Sequence, residues 1–213
     1  MRLTRMDQFE VEEGLDQHYE VLKELGECHT ALGNYDRARE CYAQASRLAP
    51  DRAAPYVGLG VIGLQTGRVP EAERSFRQAV TLDPRCAEAF SGLAMIFQRE
   101  RDYPAAFEMY LKCLEHDGDN LVALLGLFQT SCQMGSFAKV IHYLNVYLER
   151  HPADTSVLFC LATLYARDGR LDEAQEALLT ILTLEPHNAD AAKLLKEVQR
   201  QERGKLSSEA IAR

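Results

Sequence analysis

Residues 53–86 read AAPYVGLGVIGLQTGRVPEAERSFRQAVTLDPRC, two amphipathic runs hinged at Gly67 and closed by Pro84. The first run places Tyr56, Leu59, Gly60 and Gly63 on one stripe at helical spacing, and Ala72, Phe76 and Ala79 form the stripe of the second. Gly67 supplies the left-handed residue that ends a helix, and Pro70 opens the next helix, where a missing N–H costs nothing. Pro84 closes the stretch because the residue before a proline resists the helical region. The pattern recurs. Gly33, Gly67, Gly135 and Gly169 keep one fixed interval, with a single member skipped between Gly67 and Gly135. Pro50, Pro84, Pro152 and Pro186 keep the same interval with the same gap. Five equal repeats fit without insertion: residues 19–52, 53–86, 87–120, 121–154 and 155–188. A two-helix unit of this length cannot bury its apolar face alone, so the copies must stack.

The flanks differ. Residues 1–18 form an acidic leader, part of which extends the first helix while the rest is expected to be loose. Residues 189–203 give one more amphipathic run, with Leu194, Leu195 and Val198 on one face, as the capping helix such an array requires. Residues 204–213 read as a loose tail.

The 213 residues are 46% hydrophobic and 26% charged, ordinary for a soluble domain. No apolar run approaches a membrane span, and the acidic N-terminus gives no export signal, so a cytoplasmic protein is expected. Arginine outnumbers lysine and the helices are alanine-rich, which suggests a bacterial source. The net charge is −8, and residues 7–27 carry eight carboxylates against Lys23 alone. With no basic stripe elsewhere, nucleic acid is excluded as a partner. Cys28, Cys41, Cys86, Cys113, Cys132 and Cys160 match neither zinc nor disulfide spacing and read as small apolar filler. No phosphate loop, zinc-protease motif or nucleophile elbow is present, so no catalytic residue, metal site or cofactor is expected.

The repeat resembles the tetratricopeptide repeat. That family's large, Leu-Gly or Leu-Ala, small, aromatic, small and proline positions fall on Leu22, Leu25, Gly26, Ala38, Tyr42, Ala45 and Pro50 in the first repeat. In the third they fall on Phe90, Leu93, Ala94, Ala106, Tyr110 and Cys113, and in the fifth on Leu158, Leu161, Ala162, Ala174, Leu178 and Ile181. The fourth repeat departs: Phe128 and Val140 stand at two small positions and Tyr147 at a third, so its helices should lie further apart or at another angle. Gly118 replaces the proline just before it, where a bend, a dimer contact or plain drift are the alternatives. The resemblance implies an all-α fold, a right-handed superhelical solenoid of helix-turn-helix repeats, with a concave wall built from the first helix of each repeat.

On that wall the resemblance places Glu20, Glu24 and Glu27, then Val57, Gly58, Val61 and Leu64, then Gly92 and Met95, then Leu125, Gly126 and Gln129, and finally Phe159. The family's clamp for chaperone carboxylate tails needs Lys, Asn and Arg, but Glu27, Gly58, Glu88 and Gly92 occupy those places, so that role is disfavoured. Gly58, Gly92 and Gly126 recur at the repeat interval; they either form a flat floor for a partner's backbone or pack against a neighbouring repeat. The expected function is a non-enzymatic adaptor or scaffold whose groove holds a partner segment, an amphipathic helix or extended peptide with a basic end. The alternatives are a holding chaperone for an exported or membrane-destined protein, and a self-assembling scaffold that forms homo-oligomers.

Overall fold

The computed structural model describes the backbone over residues 5–211 and the side chains over 14–204; the side chains of the leader's Asp7, Glu10, Glu12 and Glu13 lie outside it. Every regular element in this range is helical. The helices are α1 Arg5–Ala31, α2 Tyr35–Leu48, α3 Ala54–Gln65, α4 Val69–Leu82, α5 Ala87–Arg99, α6 Tyr103–His116, α7 Leu121–Met134, α8 Ala138–Arg150, α9 Thr155–Asp168, α10 Leu171–Leu184 and α11 Ala189–Ile211. The odd-numbered helices are the first helices of successive repeats and the even-numbered ones the second. Two expectations change at the ends. α1 begins at Arg5, so most of the leader is helical. α11 runs through Gly204 to Ile211 where a loose tail was expected, because a single interior glycine costs only about 1 kcal/mol.

The chain divides into two compact bodies, Met1–His116 and Asp117–Arg213, at the point where Gly118 stands in place of the repeat's proline. In the first body α1 pairs with α2, α3 with α4 and α5 with α6. In the second, α9 pairs closely with α10, and α11 packs on α10. α7 and α8 form the loosest pair, and α8 meets α9 more closely than it meets α7. Phe128 and Val140 stand where other repeats place Gly or Ala and keep these two helices from closing. First helices of the second body start on side-chain caps: Asn120 accepts from the Ala123 N–H, Asp154 from Ser156 and Val157, and Asn188 from Ala191. Arg52 and Cys86, at the same register in the first body, provide no such cap.

Each turn inside a repeat passes through one left-handed residue. Gly33, Gly67, Gly135 and Gly169 have φ between 70° and 79°. The missing member of the series is Arg101, midway between Gly67 and Gly135, and it adopts φ 65°, the one non-glycine residue at positive φ among the described residues. Its N–H still donates to the Gln98 carbonyl, and the Asp102 N–H to the Phe97 carbonyl, so the turn closes as in the first, second and fifth repeats. An L side chain there crowds its own backbone, at about 1–2 kcal/mol.

The core of the first body is a ring held between two glycines. The Tyr42 ring of α2 lies over Gly26 of α1 on one side and Gly58 of α3 on the other; a Cβ added at either glycine would come closer to it than 3.0 Å. Phe76 of α4 repeats the arrangement between Gly60 of α3 and Gly92 of α5, with no more room for a Cβ at either. Ala38 and Ala45 flank Tyr42, and Ala72 and Ala79 flank Phe76, all four fully buried. The small-aromatic-small pattern is thus the shape of a ring entering a slot. Of the two roles open for the recurring glycines, Gly58 and Gly92 both show the packing one, each pressed by a ring from the preceding second helix. Gly126 is likewise buried, in α7.

Arg101→Gly should raise stability by about 0.5–1 kcal/mol and the melting midpoint by about 2–4 °C, read by thermal denaturation, because glycine adopts this φ without strain. Gly92→Ala should lower stability by about 1–3 kcal/mol in urea unfolding despite alanine's higher helix propensity, since overpacking against a fixed ring outweighs a gain of about 0.5–1 kcal/mol.

Candidate functional site

Within the first body, α3 contacts both α1 and α5, and the three first helices border a groove of about 870 Å³. Five of the residues expected on the wall line it: Glu20, Glu27, Val57, Gly58 and Val61. Val57 and Val61 are half-buried, their inner sides packed against the cluster around Phe76, which fixes them in place. Tyr19 and Tyr42 contribute to the groove from below, and Glu88 borders it from α5.

The remaining expected residues lie elsewhere. Glu24 is exposed and outside the groove, and Leu64 is half-buried against the Phe76 cluster. Gly92 is covered by the Phe76 ring, and Met95 stands 43% exposed on α5 without lining the groove. In the second body Leu125 and Phe159 are half-buried, Gly126 is buried and Gln129 is exposed. The Gly126 carbonyl accepts the Thr130 hydroxyl at 2.7 Å. A cavity of about 340 Å³ in that body is lined by Asn145, Leu148, Tyr165 and Thr180 among others, and by none of these four.

Several groove residues come from the links between repeats, which the reading of first helices alone missed: Asp51, Arg52, Ala53, Asp83 and Cys86. A signal for them exists in the sequence, since Asp51 and Asp83 each sit beside a repeat-closing proline.

The groove holds five carboxylates, Glu20, Glu27, Asp51, Asp83 and Glu88, against two cations, Lys23 and Arg52. Both cations are already committed to Glu20. Lys23 Nζ lies 2.5 Å from a Glu20 oxygen, and that hydrogen bond is the main cause of the raised Lys23 pKa. Arg52 donates to Glu20 at 3.3 Å and to Asp16 at 2.8 Å while its guanidinium lies 4.6 Å from the centre of the Tyr19 ring. Glu27, Asp51, Asp83 and Glu88 make no ion pair among the described residues. The Cys86 thiol sits 3.6 Å from a Glu88 oxygen, and burial pushes its pKa up to about 11, so it is neutral at pH 7 and a poor nucleophile. The arrangement suits an apolar side chain on Val57 and Val61 with a cation among the four unpaired carboxylates. Among the described residues no helix is long and apolar enough to cross a membrane.

Comparison with known proteins agrees with the repeat fold. Two family profiles, both described as tetratricopeptide repeat, match residues 24–84 and 64–120 in one case and 155–179 in the other, more than half of the chain; the irregular residues 121–154 fall outside these matches. The type IV pilus assembly protein PilF of Pseudomonas aeruginosa is 38% identical over 65 residues, 30% of this chain and 26% of that protein. Anaphase-promoting complex subunit 3 of Schizosaccharomyces pombe is 24% identical over 152 residues, 71% of this chain and 23% of that one. The chain thus spans about a quarter of the length of these two relatives. Among solved structures, Pseudomonas aeruginosa PilF superposes with a TM-score of 0.71 at 20% identity, covering 92% of this chain and 90% of its own. YrrB, described as a TPR protein with an unusual peptide-binding site, gives 0.65 at 16% identity over 82% of this chain and 90% of its own. Proteins built from these repeats generally serve as protein-interaction scaffolds and are generally not enzymes. Helix pairs in a constant register, rings seated between glycines and the matching profiles together place this chain in the tetratricopeptide repeat family.

Proposed function

We propose that this protein is a non-enzymatic scaffold that holds a partner segment in the groove of its first body. The partner would be an amphipathic helix or an extended peptide with a basic end. The observation that carries the reading is the pairing, in one groove, of a half-buried Val57–Val61 floor with four carboxylates that lack ion-pair partners. The internal cations are engaged by Glu20, so an incoming Lys or Arg meets these acids without displacing a bridge. Magnitudes divide the roles. Covering a valine or leucine fully contributes about 1.5–3 kcal/mol, whereas an exposed ion pair gives about 0.2–1 kcal/mol. Affinity therefore comes from the valine floor, and the acids set orientation and association rate.

A peptide array of basic amphipathic sequences, with hits re-measured by fluorescence polarisation, tests this. Val61→Glu should weaken the best hits by about 10–100-fold, the equivalent of one lost apolar contact. Glu27→Gln combined with Glu88→Gln should mainly slow association and flatten the salt dependence. Hits that Val61→Glu leaves unchanged would sink the groove as the binding site.

A further inference from the structure

The outer face of α1 is apolar and open where the same face of later first helices is closed. Val21, Leu25 and Cys28 fall on one helical stripe at spacings of four and three. Val21 is 53% and Leu25 45% exposed, and Cys28 is exposed as well. One repeat on, Ile62 occupies the register of Cys28 and is fully buried against Ala38 and Tyr42 of α2. Two repeats on, Ala89, Leu93 and Ile96 of α5 occupy all three positions and are closed off by Ala72, Phe76 and Ala79 of α4. In the second body Val157, Leu161 and Leu164 hold the same register and are buried too. The fold therefore has a set occupant for this stripe, the second helix of a preceding repeat, and among the described residues α1 has none.

The acids identify which kind of helix fits. Glu24 stands at the register of Gly58 and Gly92, the two positions onto which the Tyr42 and Phe76 rings of the preceding second helix press. A ring cannot sit there in the first repeat, because a carboxylate takes the place of the glycine. Glu24 is exposed and makes no ion pair among the described residues. A long basic side chain from an opposing helix satisfies both the space and the charge. A second copy docking through α1 in antiparallel fashion would instead bring Glu24 and its acidic neighbours against their own equivalents.

We infer that the Val21–Leu25–Cys28 face of α1 is a docking surface for an amphipathic helix from another protein, one carrying small residues where Ala72 and Ala79 lie on α4 and a lysine or arginine in place of the aromatic ring. The surface is distinct from the groove, since none of Val21, Glu24, Leu25 and Cys28 lines it. It extends the array by one helix and needs no occupant in the groove.

The probe is a fluorescent, helix-stapled peptide with the α4 sequence 69–82 carrying Phe76→Lys, alongside the same peptide with Phe76 retained. Binding is read by fluorescence polarisation on the full chain. The lysine peptide should bind saturably, with affinity at least about tenfold lower to Leu25→Lys and about threefold lower to Glu24→Gln, and it should bind better than the phenylalanine peptide. Both substitutions lie on exposed positions, so circular dichroism melts should match the wild type. Three results overturn the inference: no saturation up to about 1 mM peptide, equal binding to Leu25→Lys, or loss of binding on Val61→Glu instead, which would put the peptide in the groove. A dimer in light scattering that Leu25→Lys dissociates would assign the face to a second copy and overturn it equally.

Discussion

The packing of the first three first helices rests on one steric match: the Tyr42 and Phe76 rings of α2 and α4 each enter a slot with a glycine on either side. Tyr42 between Gly26 and Gly58, and Phe76 between Gly60 and Gly92, hold three successive first helices at ring-thickness separation. The attraction is ordinary dispersion and apolar burial, but the arrangement tolerates no added methyl. This constraint also decides which wall positions remain free to bind. The glycines are committed to the rings behind them. The valines beside them, Val57 and Val61, face the groove with part of their surface uncovered. The proposed binding surface is what packing leaves over, the residues the slot does not use.

The fold was legible because its determinants are local and periodic. Turn glycines and closing prolines keep strict register, and even the gap at residue 101 keeps it: Arg101 takes the left-handed conformation its position requires. The disturbed fourth repeat was legible for the same reason, since Phe128 and Val140 are too large for the positions they hold and α7 and α8 do not close. What could not be read was the direction in which a residue is covered. Gly58 and Gly92 stayed open between floor and packing because their contacts are rings on a different helix, with no trace in the first helix's own periodicity. Leu64 looked like wall and turned out to pack inward. The acids beside the closing prolines, Asp51 and Asp83, were missed because a wall drawn from helices alone leaves out the links that rim it.

Charge follows the same division between packing and binding. Lys23 and Arg52 pair with Glu20, Arg52 also with Asp16, and tie together the first two repeats, with Arg52 stacked on Tyr19. The acids left over point to cationic partners at two separate places, the groove and the outer face of α1. In the proposed reading each pairs an apolar strip that would supply affinity with carboxylates that would select orientation. A scaffold of this kind would hold two helical or extended segments side by side without any catalytic group of its own.

The most direct test of the account is a double-mutant cycle on the slot, Gly92→Ala and Phe76→Ala singly and together, followed by urea unfolding. If the ring is what forbids a side chain at residue 92, the alanine penalty should vanish in the Phe76→Ala background, giving a coupling equal to that penalty, about 1–3 kcal/mol. An unchanged penalty in both backgrounds would contradict the slot, and with it the assignment of the wall's glycines to packing.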